Sequence, residues 1–307
     1  MSSTGQGAVP LIELSGLNVV LPTGEHSEVE AVRSVDLVVH DGERVGLVGE
    51  SGSGKSVTGR SIAGLLPTSP RVRVSGSIRI RGQEMVGAPA QAWDEVRRRT
   101  VGMIFQDPLT FLNPTMRIGR QVAESIPARR GSGQRGPGQR GSGGQASREE
   151  AVYRFLGQAG LPDPAQVAAS FPHELSGGMR QRVLIAIAIA KEPSLVLADE
   201  PTTALDATVQ QHVLRTLDET VAELGTSLLL ISHDLAVVAG MTDRVYVMYG
   251  GRIVEEGPTA RVLAEPQHEY TRALLRSVRS LTEADTALYS IPLQTRQRFA
   301  QEASRAT

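Results

Sequence analysis

Gly49, Gly54, Lys55 and Ser56 stand in the spacing G-x-x-x-x-G-K-[ST], between an apolar run, Val45 to Val48, and a segment of helical character, Val57 to Leu66. That spacing binds phosphate. Glycines, lacking Cβ atoms, let successive backbone N–H groups turn inward and form a concave anion nest. A helix starting there aims its unpaired N–H donors and the positive end of its dipole at the same place. Gly49, Glu50, Ser51, Gly52, Ser53, Gly54, Lys55, Ser56 and Val57 are therefore expected to cradle nucleotide phosphates. Lys55 adds a mobile cation for the β- and γ-phosphates, and Ser56 a hydroxyl for Mg²⁺.

Two further groups carry chemistry. Leu195-Val196-Leu197-Ala198-Asp199-Glu200 is an apolar run ending in two carboxylates. A carboxylate at the C-terminal end of a buried strand lies on the ligand-binding edge of an open α/β sheet. The position suits Asp199 to a Mg²⁺ ion held through water, and Glu200 to the water that attacks a γ-phosphate. Taken alone, the pair suits a helix cap or a surface site equally well. Leu175-Ser176-Gly177-Gly178-Met179-Arg180-Gln181-Arg182 precedes a helix bearing Val183, Leu184, Ile187 and Ala188. Ser176 is a good N-cap, and Gly177 and Gly178 leave that helix start open as a second anion site. By itself the string is also that of an ordinary capped helix.

The elements that must position these groups follow from periodicity. Residues 11–48 read as short strands (Leu11–Leu14, Leu17–Leu21, Val29–Val39, Arg44–Val48), with turns at Gly16, Pro22-Thr23-Gly24 and Asp41-Gly42. Their short connections predict an antiparallel sheet, joined by Gly76–Arg81, except where Val45–Val48 feeds the phosphate loop. Residues about 91–190 change to charged helical segments such as Trp93–Arg99 and Arg148–Ala159. Within them, 131–147 is Gly, Ser, Gln and Arg with little else apart from one Pro, too polar to offset its ordering entropy, and disorder is expected there. Beyond 195 the pattern is strand (Leu195–Ala198), helix (Thr208–Leu224), strand (Leu228–Ser232), a hairpin about Gly250-Gly251, and a helix from Pro266 to Ser280.

Composition excludes several classes. The 307 residues carry a formal net charge of −1 and no cysteine. Disulfides, thiolate metal sites and iron–sulfur clusters are ruled out, and no global basic field points to nucleic acid. Met1 to Pro10 has neither the basic region nor the apolar core of a secretory signal. The longest apolar run, Val183 to Ala190, is far short of the ~20 residues of a membrane-spanning helix. The expectation is a soluble chain that meets a membrane only through a partner.

Placed in order, these motifs resemble those of ATP-binding cassette (ABC) ATPases. Leu175-Ser176-Gly177-Gly178 with Gln181-Arg182 is similar to the family signature, Gln106 in Phe105-Gln106-Asp107-Pro108 to its Q-loop glutamine, and Thr203-Ala204-Leu205-Asp206 to its D-loop, with Thr203 where Ser is more usual. His233 in Ile231-Ser232-His233-Asp234 resembles the switch histidine, although a lone His after a strand is also a common cap. The resemblance covers roughly residues 11–280. It implies an α/β fold, a P-loop NTPase (RecA-like) core with an antiparallel β-subdomain and an inserted helical subdomain, over residues 1–260, followed by a short extension, 261–307. It implies ATP and Mg²⁺ as ligands, with Ser56, Gln106 and Asp199 serving the metal and Glu200, His233 and Gln106 the hydrolysis. His26 falls near the family's adenine-stacking position, where an exposed loop histidine is the alternative. The family works as a head-to-tail dimer, each loop facing Ser176 to Gly178 of the other subunit.

Several phrases resemble the peptide/nickel importer branch: Glu50-Ser51-Gly52-Ser53, Leu112-Asn113-Pro114, and His268-Glu269-Tyr270-Thr271, the last with Glu269 where that branch has Pro. Members drive two membrane permeases, fed by an extracytoplasmic binding protein, from the cytoplasmic face, in company with a second ATPase subunit of the same or a related kind. Many carry a cysteine-rich C-terminal segment for an iron–sulfur cluster; this chain does not, and no cluster is expected. Around the Q-loop, Phe111, Leu112, Met116 and Ile118 either meet a permease or fill the core. The rival reading is a non-transport cassette ATPase acting on ribosomes or DNA.

Overall fold

A computed structural model describes residues 9–24, 27–67, 69–127, 143–203 and 205–282. The chain divides into two compact units, Met1–Asp94 with Ser227–Thr307, and Glu95–Thr226. In chain order the elements are β1 (Ile12–Pro22), β2 (Glu28–Val39), β3 (Arg44–Val48), α1 (Lys55–Ile62), β4 (Arg73–Ile80), β5 (Gln83–Glu84) and α2 (Ala90–Glu95). After a π-helical turn at Val96–Thr100 come β6 (Val101–Ile104), α3 (Pro108–Phe111), α4 (Ile118–Ser125), α5 (Gly143–Gln158) and α6 (Pro164–Ala169). Then follow α7 (Gly177–Ile189), β7 (Leu195–Asp199) and α8 (Ala207–Leu224). The chain closes with β8 (Ser227–Ser232), α9 (Leu235–Met241), β9 (Arg244–Tyr249), β10 (Arg252–Pro258), α10 (Thr259–Ala264) and α11 (Glu269–Thr282).

In the first unit β2, β1, β4 and β5 form the expected antiparallel sheet. Gly16 is not a turn between two strands, as its type suggested; β1 runs straight through it as a bulge. Gly16 takes φ 54 and its N–H donates to Asp36 Oδ1 at 2.8 Å, while the register against β2 slips between Leu14 and Leu17. The slip has a purpose visible in burial: Ile12 and Leu14 are buried before it, Leu17 and Val19 after it. One extra residue moves the buried parity from even to odd and keeps one face of the strand inward.

In the same unit β3 pairs in parallel with β8 on one side and β9 on the other, and β10 adds antiparallel to β9. β8 is buried throughout and β3 nearly so, the pattern of parallel strands covered on both faces. Gly250 (φ 55) and Gly251 (φ 87) make the predicted hairpin turn, since both central positions need φ > 0.

The second unit holds the parallel pair β6 and β7, with Ile104 opposite Ala198. α7 packs on both β6 and α8, and the unit runs on to Thr226. α5 begins at Gly143, so residues 143–147 of the segment read as disordered belong to a helix; the rest of that segment, and everything after 282, lies outside the described residues. Val152, Phe155, Leu156 and Ala159 bury one stripe at i, i+3, i+4 and i+7 and anchor the helix. Of the Q-loop hydrophobics, Leu112 and Ile118 are core, whereas Phe111 is 46% exposed and stacks on Phe105.

Candidate active site

The phosphate loop leaves the C-terminal end of β3 and passes directly into α1, whose N-cap is Gly54 at φ 105. The loop can only be glycine where it is tightest: a Cβ on Gly49 would lie 2.1 Å from the Met248 carbonyl oxygen, and one on Gly54 2.3 Å from that of Ala31. Lys55 is 3% exposed, and its ammonium donates to the carbonyl oxygens of Gly49 and Glu50, both at 2.9 Å. Ser53 Oγ is buried with no hydrogen-bond partner. Ser51 and Gly52 form the exposed rim, while Glu50, Ser56 and Val57 are half-buried. A buried cation resting on its own loop, an orphaned hydroxyl and a helix N-terminus make a donor-rich hollow, which fits phosphate oxygens.

β8 runs parallel to β3 with Ser232 opposite Val48, so His233 and Gly49 leave neighbouring strands at one edge of the sheet. His233 is exposed. It does not cap the following helix: Asp234 does, accepting from Ala236 N–H at 2.8 Å. The structural alternative for His233 is thereby filled by its neighbour. His26 lies outside the described residues.

In the second unit Asp199 and Glu200 end β7, and Phe105 and Gln106 follow β6 at the same edge. Asp199 is 3% exposed. Glu200 sits at φ 47, a left-handed conformation costing about 1–3 kcal/mol for a residue with a side chain, and such strain collects at functional sites. Its Oε2 accepts from the Thr203 hydroxyl at 2.9 Å and from Gln106 Nε2 at 3.4 Å. Gln106 and Glu200, 94 residues apart, are thus brought together, and Thr203 joins them.

Ser176 caps α7, its Oγ accepting from Met179 N–H at 3.3 Å, and it stands exposed with Gly177. Gly178 is buried because α8 lies against it, with Val209 filling the space a side chain would need. Gln181 enters the sequence pattern only as part of the signature string. It is 1% exposed and donates to the Phe105 carbonyl at 3.1 Å, tying the Ser176 helix to the segment that carries Gln106. The signal was a lone polar residue on the same stripe as Leu184, Ile185 and Ala188. Nearby, Asp107 caps α3; bonds from the Thr110 hydroxyl and Leu109 N–H hold its carboxyl below the ordinary range.

Over residues 32–203 the sequence matches the family described as ABC transporter. The chain belongs to that family. Residues 254–303 match a second description, the oligopeptide/dipeptide transporter C-terminal region. Among ABC proteins, the chain is 41% identical over 283 residues to the oligopeptide transport ATP-binding protein OppD of Bacillus subtilis, covering 92% of this chain and 76% of that one. It is 41% identical over 263 residues to OppD of Lactococcus lactis subsp. cremoris, covering 86% and 74%. A solved ABC cassette, a dimer in a post-hydrolysis state bound to ADP and Pi, superposes with a TM-score of 0.67 at 26% identity, over 81% of this chain and 98% of that one. The α/β P-loop NTPase fold expected from the motifs is the fold of these ABC cassettes. Among the described residues no helix is long and apolar enough to cross a membrane.

Proposed function

We propose that this chain is the ATP-hydrolysing subunit of an ABC importer for peptides, acting at the cytoplasmic face of a membrane beside permease subunits. The observation that carries the branch is the match of residues 254–303 to the C-terminal region of oligopeptide/dipeptide transporters, behind a complete run of cassette motifs. It favours transport over the ribosome- or DNA-acting alternative. The names of the relatives support the same cargo class.

In this proposal the loop amides, Lys55 and Ser53 hold the ATP phosphates, and on binding Lys55 exchanges the Gly49 and Glu50 carbonyls for phosphate oxygens. Ser56, Gln106 and Asp199 offer only oxygen donors, the set that suits Mg²⁺. When bound, the ion neutralises charge on the phosphates. Glu200, oriented by Thr203 and Gln106, accepts the proton of the attacking water, and His233 bonds the γ-phosphate. Ser176 to Gly178 act on the nucleotide of a second ATPase subunit, head to tail. Charge-assisted hydrogen bonds of about 1.5–3 kcal/mol each would let ATP close such a pair and hydrolysis release it. Two permeases and an extracytoplasmic binding protein complete the assembly.

Glu200→Gln tests the chemistry. It should keep ATP binding, lower turnover by roughly 10²-fold or more, and accumulate a closed dimer on size exclusion. Near-normal turnover would remove Glu200 from its role. Co-purification with permease subunits, rather than with ribosomes, tests the partners.

A further inference from the structure

The His268-Glu269-Tyr270-Thr271 element has no part in the chemistry above, yet its tyrosine reaches the phosphate loop. Tyr270 is completely buried, its ring 4.4 Å from that of Tyr249, and its hydroxyl oxygen accepts the Glu50 N–H at 2.9 Å. That N–H belongs to the same peptide group as the Gly49 carbonyl, on which the Lys55 ammonium rests. One amide plane, at the entrance of the loop, is therefore held on its N–H side by Tyr270 and on its C=O side by Lys55.

Tyr270 is itself fixed by a short relay. Glu255 on β10 accepts the Gln267 and His268 N–H groups at 2.7 and 3.0 Å, and His268 Nδ1 accepts the Tyr270 N–H at 3.1 Å. These bonds set the first turn of α11, so the hydroxyl arrives at Glu50 from a rigid base.

We propose that Tyr270 is a positioning residue for nucleotide: its hydroxyl pins the Gly49–Glu50 peptide so that the loop amides and Lys55 are presented to phosphate in one orientation. The proposal rests on the ATP-binding reading. Without the bond, the peptide at the loop entrance gains freedom that ATP must then remove. Affinity suffers, while Glu200 and His233 are untouched. α11 thereby becomes an element through which the C-terminal region sets the ATP affinity of the loop.

Tyr270→Phe keeps the ring, its burial and its stacking, and removes only the hydroxyl. In the full chain, ATP titrated calorimetrically should bind roughly 3- to 10-fold more weakly, the effect of one lost hydrogen bond on a partly buried amide. kcat at saturating ATP should stay within about twofold, so the loss appears in KM. Hydrogen exchange at the Glu50 amide of nucleotide-free protein should quicken. An unchanged dissociation constant with unchanged Glu50 exchange overturns the proposal. So does a parallel fall of kcat, affinity and nucleotide-free melting temperature, which would make Tyr270 a core residue only. If wild type and Lys55→Ala bind ATP alike, the nucleotide reading of the loop fails instead, and the two failures are distinguishable.

Discussion

Gly178→Ala places a methyl group between α7 and α8, at a position where family resemblance alone would predict only a lost contact to nucleotide. The new Cβ would lie 2.4 Å from Val209 Cγ1 and 3.7 Å from Val209 Cβ. Non-bonded carbons rest about 3.5–4.0 Å apart, so more than ~1 Å must be found. Val209 cannot easily yield: a valine in a helix has one strongly preferred χ1, and its N–H is bound to the Asp206 cap at 3.0 Å. Overpacking of this kind costs about 1–3 kcal/mol, offset by up to ~1 kcal/mol for replacing a helical glycine. A net loss near 1–2 kcal/mol should lower the melting temperature by roughly 2–8 °C in a chain of this size. Thermal or urea unfolding of Gly178→Ala, Val209→Ala and the double variant gives the coupling directly. Trimming Val209 should recover about 1 kcal/mol or more of the loss. ATPase activity should remain low in the double variant, since the introduced methyl group still stands in the signature. Equal destabilisation by Gly178→Ala in both backgrounds would refute the packing argument, and recovery of ATPase along with stability would refute the nucleotide role.

Other expectations follow from half-buried charges. Glu43 takes both Nε and Nη2 of Arg244, at 2.7 and 3.0 Å; burial pushes its carboxyl up, but the Arg244 and His40 N–H bonds outweigh that and hold it below the ordinary range. A depressed carboxylate stabilises above its unfolded value and loses that contribution as pH falls through its folded one. Glu43→Gln should therefore cost about 1.5–3 kcal/mol at pH 7, and urea midpoints should show the cost shrinking as pH drops below about 4. Lys191 is the opposite case: burial first, then the Arg97 charge, lower its pKa to about 8, and it donates to the Arg97 carbonyl. Between pH 8 and about 10.4 the unfolded chain binds more protons, so this site adds stability as pH rises. The difference in unfolding midpoint between wild type and Lys191→Met should grow over that interval, and a flat difference would show the ammonium is not buried in solution.

What was legible in the sequence was what depends on neighbours. The phosphate loop, the Ser176 cap and the Gly250–Gly251 hairpin are each set by φ requirements or donor spacing within a few residues, and all form as read. Gly16 was misread because a glycine with φ > 0 serves a turn and a bulge alike; only the change of apolar parity from Ile12 and Leu14 to Leu17 and Val19 separates them. The start of α5 was missed because Gly143 to Ser147 has no helical stripe of its own. Its helicity propagates from the stripe at Val152 and Phe155, since elongation costs far less than nucleation. The backbone strain at Glu200 and its bond to Gln106 had no signature at all, being set by the meeting of chain segments 94 residues apart.

The same distinction bears on the loop itself. Its residues are read from nine consecutive positions, Gly49 to Val57, yet its shape is imposed from elsewhere in the first unit. Met248 O forbids a side chain at Gly49, Gly251 N–H donates to Ser53 O at 3.0 Å, and Tyr270 accepts from Glu50. All three constraints come from β9, the hairpin turn and α11, roughly two hundred residues downstream. A glycine-rich segment left to itself has a large backbone entropy to lose on closing around phosphate. These downstream groups remove that entropy when the chain folds rather than when ATP binds, which is the physical meaning of preorganisation. The motif therefore specifies which donors meet the nucleotide, and the C-terminal strands and helix determine how tightly they can do so.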